Sequence, residues 1–420
     1  MRPCAARAAL LLGVLAAGLL PGCTAGGDPA QARGSGTSAS AAAPPGTSSA
    51  PTGPVTPDLP ATPPATPTAT AGVPAGSPQA RADAALARLD RRGRIAQLFL
   101  VGVPLTGDLG AGDALVRSGV GGVFLSGRST ASAASLGQVA ARWAAEAPGP
   151  RPWVAADQEG GQVQTLSGAG FARLPTATAQ GQLPPGQLPV VATSMGRSLH
   201  TAGVTLDLAP VADVVPAGTE RTNAPVGVFS RQYGSTPAAV GAAAGTVVAG
   251  LSAAGVRATV KHFPGLGRVT GNTDTTATVV DATTTADDPQ VALFGTLAHG
   301  PAAPFVMVSL ATYSRIDPAA PAAFSPTVVT GLLRQRLGYD GVVVSDDLGR
   351  AKAVAAVPAG QRAVRFLAAG GTLALTVDAS VLPAMESAVA AAADADPAFA
   401  ATVDAAARTA LLAKARSGLL

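Results

Sequence analysis

Charged residues closely follow several apolar segments whose length suits a β-strand. Asp157 follows one such segment, Asp207 lies at the end of a second and Asp346 follows a third. Lys261 and His262 stand side by side after a fourth, although the whole chain holds only three lysines and three histidines. Carboxylates accept hydrogen bonds from hydroxyl groups and cations donate to them. If these side chains converge, they suit a ligand rich in hydroxyls.

These residues can converge only if the apolar segments are strands of one sheet. Eight such segments alternate with Ala-rich stretches, and several are apolar throughout, as in parallel strands buried on both faces. Eight strand–helix units of roughly 42 residues each predict an α/β fold, a (β/α)8 TIM-type barrel whose active site lies at the carboxyl ends of its strands. Periodicity alone leaves a doubly wound open sheet as the alternative. The predicted strands are Leu98–Val103, Val120–Leu125, Trp153–Ala156, Val204–Leu208, Val256–Val260, Phe305–Ser309, Gly341–Ser345 and Thr372–Val377.

Two of the intervening stretches carry clear helix punctuation. Thr236 is a suitable N-cap, and Pro237 after it suits the first turn of a helix. Ser325 and Pro326 form the same pair, and Gly338 suits the left-handed residue that ends a helix. Helices are therefore predicted to start near Pro237 and near Pro326.

The N-terminus has the pattern of a bacterial export signal. Two arginines precede the 13 mainly apolar residues Ala8–Leu20, which are too few to span a bilayer that needs about 20. Leu20–Cys23 (Leu-Pro-Gly-Cys) then resembles a lipobox, so residues 1–22 are predicted as a lipoprotein signal peptide and Cys23 as the lipidated first residue. We expect the mature protein to be secreted and lipid-anchored to the outer face of the cytoplasmic membrane. An ordinary secretory signal with a chance cysteine is the alternative.

The segment after the predicted cleavage point is poor in charge. Residues 23–80 are rich in Pro, Thr and Ala and carry only three charged residues, which predicts a disordered linker. Residues 81–420 are then predicted to form a single barrel domain. The chain is 47% hydrophobic, which is enough for a sizeable core. With 4% aromatic residues, a net charge of +4 and no basic run, nothing indicates nucleic-acid binding.

Five polar segments at the predicted strand ends form a recognisable set. The most specific are Lys261–Gly265 (Lys-His-Phe-Pro-Gly) and Gly341–Leu348, which contains Ser-Asp-Asp-Leu. The others are Asp157–Gly161 with the following Val163-Gln164, Ala209–Val214 and Ser230–Gly234. Over most of residues 90–380 the chain thereby resembles glycoside hydrolase family 3, and in particular its single-barrel bacterial β-N-acetylglucosaminidases. The resemblance implies that residues 81–420 are the catalytic barrel of that family.

The resemblance also implies a function and a role for each site residue. It implies hydrolysis of terminal β-linked N-acetylhexosamine from wall-derived glycans by a retaining two-step mechanism, without a metal or organic cofactor. Asp346 would be the nucleophile that forms a glycosyl-enzyme, and Asp157, Arg231, Lys261 and His262 would bind the sugar at the cleavage point. We expect a carbohydrate substrate, a membrane contact through the lipid only, no nucleic-acid partner and a monomer.

Asp346 and Asp347 are not expected to share the nucleophile's role. Neighbouring residues of a strand point to opposite sides, so only one of the pair faces the mouth of the barrel. The resemblance selects Asp346, and we expect Asp347 to cap the following helix.

The loop after Lys261–Gly265 departs from the family pattern. Family members usually continue to an Asp-Ser-His sequence whose histidine serves as acid/base. Here an ungapped alignment puts Asn272 at the aspartate and Asp274 at the histidine. Asp274 is therefore the candidate acid/base, with a solvated turn aspartate as the alternative. The second functional hypothesis is a surface lipoprotein that binds glycans in the same pocket but is catalytically impaired.

Overall fold

The computed structural model describes Pro74, residues 76–106 and residues 109–420. The predicted signal peptide, Cys23 and most of the predicted linker lie outside these residues. The first described helix begins at Pro78, just before the domain boundary predicted at residue 81. Among the described residues, no helix is both long enough and apolar enough to cross a bilayer.

Eight parallel strands form the centre of the fold, and each overlaps one of the predicted apolar segments. They are β1 (Phe99–Pro104), β2 (Gly122–Ser126), β3 (Trp153–Ala156), β4 (Leu206–Asp207), β5 (Arg257–Phe263), β6 (Phe305–Val308), β7 (Val343–Ser345) and β8 (Ala374–Thr376). They pair in the order β7-β6-β5-β4-β3-β2-β1-β8, and a parallel bridge between Val344 and Leu373 joins the two ends of this series. The sheet therefore closes into a barrel, which confirms the predicted (β/α)8 fold over the open sheet.

The strands are apolar because the barrel buries them from both sides. Every residue of β2, β3, β6 and β7 is buried, and Arg257 is the only residue of β5 that is not. Valine is frequent in them, as suits a pleated surface that packs on both faces. Trp153 of β3 and Phe305 of β6 meet edge to face with ring centroids 5.3 Å apart. Because these two strands are not neighbours, this contact fills the barrel interior near the strand starts.

The helices between the strands carry the predicted caps. The Thr236 hydroxyl accepts a backbone N–H in the first turn of Pro237–Ala253, and the Ser325 hydroxyl does the same for the π-type helix Thr327–Arg336. Both predicted helices are thus confirmed. The other helices are Pro78–Arg88, Arg91–Ala96, Gly110–Arg117, Ala133–Glu146, Ala177–Gly181, Gln187–Thr201, Pro289–Ala298, Ala359–Ala368, Leu382–Ala395 and Pro397–Arg416, with short 3-10 turns at Gly227–Phe229, Ala322–Phe324, Lys352–Val354 and Ala379–Val381.

Two small ladders give structure to the loops at the carboxyl ends of the strands. Gln158–Gly160 and Val163–Gln164 form an antiparallel hairpin directly after β3. Val280–Asp281 pairs with Thr312–Tyr313, which joins the loop after β5 to the loop after β6. The loops around the barrel mouth are therefore held by backbone hydrogen bonds of their own.

Candidate active site

A cavity of about 330 Å³ lies at the carboxyl ends of the barrel strands. All six residues predicted to act in catalysis or sugar binding line it, although they come from widely separated parts of the chain. They are Asp157 after β3, Arg231 in the loop after β4, Lys261 and His262 in β5, Asp274 in the loop after β5, and Asp346 after β7. The structure thus brings these six residues together, whereas Cys23 lies outside the described residues.

Lys261 is the centre of a buried network of charges. Its Nζ lies 2.6 Å from Asp157 Oδ1 and 2.7 Å from Glu159 Oε1. Burial alone would lower the pKa of Lys261, but the charges of Asp157 and Glu159 outweigh it and raise the pKa above its usual value. Lys261 is therefore an ammonium ion, and one of its three N–H groups is left for a ligand.

Arg231 is held by one of the same carboxylates. Its Nε and Nη2 donate to the two oxygens of Glu159 at 2.8 and 2.7 Å, and its Nη1 donates to the carbonyl of Pro225 at 2.7 Å. Burial by itself would raise the pKa of Glu159, but the charges of Arg231 and Lys261 reverse this and bring the pKa down to about 2. Glu159 thus stays ionised and fixes both cations in the floor of the site.

His262 is oriented by a buried aspartate. Its Nδ1 lies 2.7 Å from Asp213 Oδ2, while Asp213 Oδ1 accepts the backbone N–H groups of His262 and Leu266 at 3.2 and 2.7 Å. Because Asp213 acts as an acceptor to its other partners, we assign the ring proton to Nδ1 from this hydrogen-bond network. Nε2 is then the ring nitrogen that is available to a ligand.

Asp346 and Asp347 lie in different surroundings. Asp346 Oδ1 accepts the N–H of Asp347 at 2.9 Å, and its side chain lines the cavity. Asp347 also reaches the cavity wall, but its carboxylate accepts three backbone N–H groups, from Gly349, Arg350 and Val377 at 2.8, 2.9 and 2.8 Å. These bonds fix the turn after β7 to the end of β8. Asp347 therefore caps a turn, and the expectation that it caps a helix was wrong.

Asp274 lies at the mouth of the cavity. The residue as a whole is exposed, but its carboxyl group is partly enclosed, and this enclosure raises the pKa of the carboxyl. The negative charges of Asp346 and Asp347 raise the pKa further, to about 6. Asn272 Oδ1 accepts the N–H of Asp274 at 2.9 Å, and the Asp274 carbonyl accepts the N–H of Lys352 at 3.2 Å. The loop is therefore held against the segment after β7, which puts Asp274 in the electrostatic field of the predicted nucleophile.

A buried asparagine ties the loop of Arg231 to the loop of Asp274. Asn223 Nδ2 donates to two carbonyls in the loop after β5 at 2.7 and 2.8 Å. Its Oδ1 accepts the N–H groups of Val226 and Gly227 at 3.2 and 2.7 Å. The side-chain amide thus uses both donors and its acceptor to connect the two loops.

The sequence assigns no role to Glu159, Asp213 or Asn223, and it marks Asp207 only as a charged residue at a strand end. A signal for Glu159 exists, since it lies two residues after Asp157 and alternate residues of an extended chain point the same way. Asp207 and Asp213 also stand at a predicted strand end. Nothing local marks Asn223, because its partners at Leu266 and Val269 are far away along the chain.

Residues 92–411 match the glycosyl hydrolase family 3 N-terminal domain. The chain belongs to glycosyl hydrolase family 3. It is 36% identical over 248 residues to a β-hexosaminidase of Xylella fastidiosa, which is 57% of this chain and 70% of the relative. It is 33% identical over 310 residues to β-hexosaminidase LpqI of Mycobacterium tuberculosis, which is 71% of this chain and 76% of the relative. A crystal structure of a β-N-acetylhexosaminidase from Beutenbergia cavernae is 47% identical with a TM-score of 0.74, covering 78% of this chain and 98% of that one.

Family 3 membership confirms the resemblance that the strand-end motifs carry, and the chain is a glycosidase. The cavity offers suitable chemistry: fixed cations and carboxylates for sugar hydroxyls, and the Asp346 carboxylate near a second carboxyl of raised pKa. Within the part of the chain that the structure describes, no group of three or more His, Cys, Asp and Glu side chains could hold a metal ion.

Proposed function

We propose that this family 3 glycosidase removes terminal β-linked N-acetylhexosamine with retention of configuration, with Asp346 as the nucleophile and Asp274 as the acid/base. The observation that carries the proposal is that both carboxyl groups line one cavity and that the charge of Asp346 helps to raise the pKa of Asp274 to about 6. The sugar is supported by the 47% identity to a β-N-acetylhexosaminidase and by the relatives named β-hexosaminidases.

The charged floor of the cavity binds the sugar. Asp157 accepts hydrogen bonds from its hydroxyls, while Lys261 and Arg231 donate to its oxygens. Glu159 already holds both cations in position, so little side-chain freedom is lost when the sugar binds. His262, fixed through its Nδ1, presents Nε2 as a further polar contact.

In the first step the Asp346 carboxylate attacks the anomeric carbon while protonated Asp274 gives its proton to the leaving oxygen. The bond from the anomeric carbon to that oxygen breaks, and a glycosyl ester forms on Asp346. With a pKa of about 6, roughly one Asp274 in ten is protonated at pH 7. An aspartate that titrates at about 3.9 would be protonated in roughly one molecule in a thousand.

In the second step Asp274 acts as a base. Ester formation removes the negative charge of Asp346, which is one of the causes of the raised pKa of Asp274. The pKa of Asp274 then falls, so more of it is ionised and ready to take a proton from the attacking water. The sugar leaves with its original configuration, and Asp346 is released as a carboxylate.

Hydrolysis of aryl β-N-acetylglucosaminides by the purified protein tests the proposal. Asp346→Asn should abolish turnover without changing the unfolding temperature, whereas Asp340→Asn, an exposed aspartate at the opposite end of the barrel, should behave as the wild type. A fluorinated substrate that accumulates the intermediate should label the peptide that contains Asp346. Labelling at Asp347 would overturn the assignment. A wild-type protein that binds the sugar but hydrolyses no aryl glycoside would instead be the glycan-binding lipoprotein.

We also propose that the mature protein acts as a monomer in peptidoglycan turnover, held by a lipid on Cys23 at the outer face of the cytoplasmic membrane. The support is the N-terminal pattern of arginines, a short apolar run and Leu-Pro-Gly-Cys, followed by a charge-poor stretch that would let the barrel reach wall-derived glycans.

A further inference from the structure

A further carboxyl group lies next to the charged floor of the cavity. Asp207 ends β4 and pairs in register with Ala156, the residue before Asp157. Its side chain is completely buried, and Oδ1 accepts the N–H of Gln158 at 3.0 Å. Oδ2 has no hydrogen-bond partner among the described residues. Asp207 takes no part in the bond-breaking steps or sugar contacts proposed for the site.

The surroundings of Asp207 favour its protonated form. A buried carboxylate with an oxygen that lacks a partner has lost its hydration without replacement, which is costly. Burial accordingly raises the pKa of Asp207 to about 8; the Gln158 N–H and the charge of Lys261 oppose this shift, and the charges of Asp157 and Glu159 add to it. At neutral pH Asp207 is therefore a neutral carboxylic acid.

The two cations of the cavity floor already have anionic partners while Asp207 stays neutral. Two cations already face two ionised carboxylates, namely Lys261 and Arg231 against Asp157 and Glu159. Tyr233 is buried beside this cluster. Burial raises the pKa of its phenol, and the charges of Glu159 and Asp207 raise it further, so Tyr233 is neutral. If Asp207 ionised, it would add a buried anion without a counter-ion of its own. This anion would compete with Asp157 for the Lys261 ammonium.

We propose that Asp207 is a positioning residue of the sugar site: its protonated carboxyl keeps Lys261 between Asp157 and Glu159, and its ionisation sets the alkaline limit of sugar binding. Asp157 is the partner at risk, because its side chain is partly exposed to the cavity whereas Glu159 is also held by Arg231. If Lys261 is drawn away from Asp157, both the acceptor (Asp157) and the donor (Lys261) that bind the sugar are displaced. The inference rests on the proposed function for the identity of the sugar.

Affinity for N-acetylglucosamine, measured by calorimetry from pH 6 to pH 9, tests the proposal. The ratio of Kd at pH 9 to Kd at pH 6 should be about ten in the wild type, since one ionisation near pH 8 lowers the competent fraction by that factor. In Asp207→Asn, which keeps an acceptor for the Gln158 N–H but cannot ionise, the ratio should lie within about twofold of one. Asp340→Asn is the matched control and should keep the wild-type ratio.

Two outcomes separate this inference from the proposed function. Equal ratios in the wild type and in Asp207→Asn would overturn the role of Asp207. No binding of the sugar by the wild type at any pH would contradict the proposed function instead. If Asp207→Asn does not fold, Asp207→Ser replaces it, because the serine hydroxyl is also neutral and can accept the same N–H.

Thermal unfolding without sugar gives an independent readout. The folded protein holds the Asp207 proton to about pH 8, whereas the unfolded chain releases it near pH 4, so the contribution of Asp207 to stability falls as pH rises through this interval. The Tm of Asp207→Asn minus that of the wild type should therefore increase from pH 5 to pH 8. A difference that stays constant over this range would overturn the buried protonated state.

Discussion

Removing the carboxyl of Asp274 should separate substrates by the quality of their leaving group. General acid catalysis contributes typically 10²–10⁴-fold to a rate. An alkoxide leaving group needs the proton, whereas a nitrophenolate departs without it. We therefore expect Asp274→Ala to lose about 10³-fold in kcat/KM on an alkyl β-N-acetylglucosaminide and less than about tenfold on the nitrophenyl compound.

The pH dependence adds a quantitative check on the same residue. Because the acid must be protonated and its pKa is about 6, wild-type kcat/KM on the alkyl substrate should fall about tenfold between pH 7 and pH 8, below the range in which ionisation of Asp207 weakens sugar binding. This limb should disappear in Asp274→Ala. Thr275→Ala, which alters the exposed neighbour, should keep the wild-type profile with both substrates. Added azide should restore deglycosylation in Asp274→Ala and yield a β-glycosyl azide.

Equal losses on the two substrates would refute the acid role of Asp274. So would an alkaline limb that is unchanged in Asp274→Ala, or a variant that forms no glycosyl azide. Any of these results would remove Asp274 from the mechanism but leave the sugar-binding residues as assigned, since they do not depend on Asp274 for their contacts.

Three further predictions follow from other residues. Glu159→Gln should lower the unfolding free energy by about 3 kcal/mol in urea, since Arg231 and Lys261 lose a buried counter-ion; a loss below about 0.5 kcal/mol would contradict this. Burial lowers the pKa of Lys414 to about 7, so stability should rise from pH 8, where the Asp207 contribution has ended, to pH 10 by up to about 1.4 kcal/mol per unit, and Lys414→Met should abolish this slope. Cys23→Ser should remove the protein from the membrane fraction, and unchanged fractionation with unchanged lipid labelling would exclude the anchor.

The barrel is predictable from the sequence because its signals are local. Each strand is a short apolar run, and the cap residues at Thr236 and Ser325 mark helix starts within a few positions. The strand ends are equally local, so Asp157 and Lys261 could be placed at the barrel mouth before any contact between them was known. What only the fold shows is that Lys261 Nζ lies 2.6 Å from Asp157 Oδ1, although β4 separates the strands that carry the two residues.

The remaining features depend on which side chains meet across the barrel mouth, and no local pattern encodes that. Glu159 contacts Arg231, which is 72 positions away, and Asp213 contacts His262 at a separation of 49. The same limit applies to protonation. An aspartate in the sequence is read as ionised, and only the burial of Asp207 without a partner for its Oδ2 indicates the neutral form.

The carboxyl groups of this site owe their protonation to their surroundings more than to their residue type. Two cations bring the pKa of Glu159 down to about 2, burial brings Asp207 up to about 8, and partial enclosure beside Asp346 brings Asp274 to about 6. The resemblance implies a histidine at the position of Asp274, and a free histidine titrates near 6.5 without help from its neighbours. In the proposed mechanism, partial enclosure and repulsion by neighbouring carboxylates give Asp274 a pKa close to that of a free histidine. Because the pKa of Asp274 depends on its enclosure and on the charge of Asp346, any change that drew its loop away from the segment after β7 would lower this pKa and weaken the acid function, whereas a histidine would retain it.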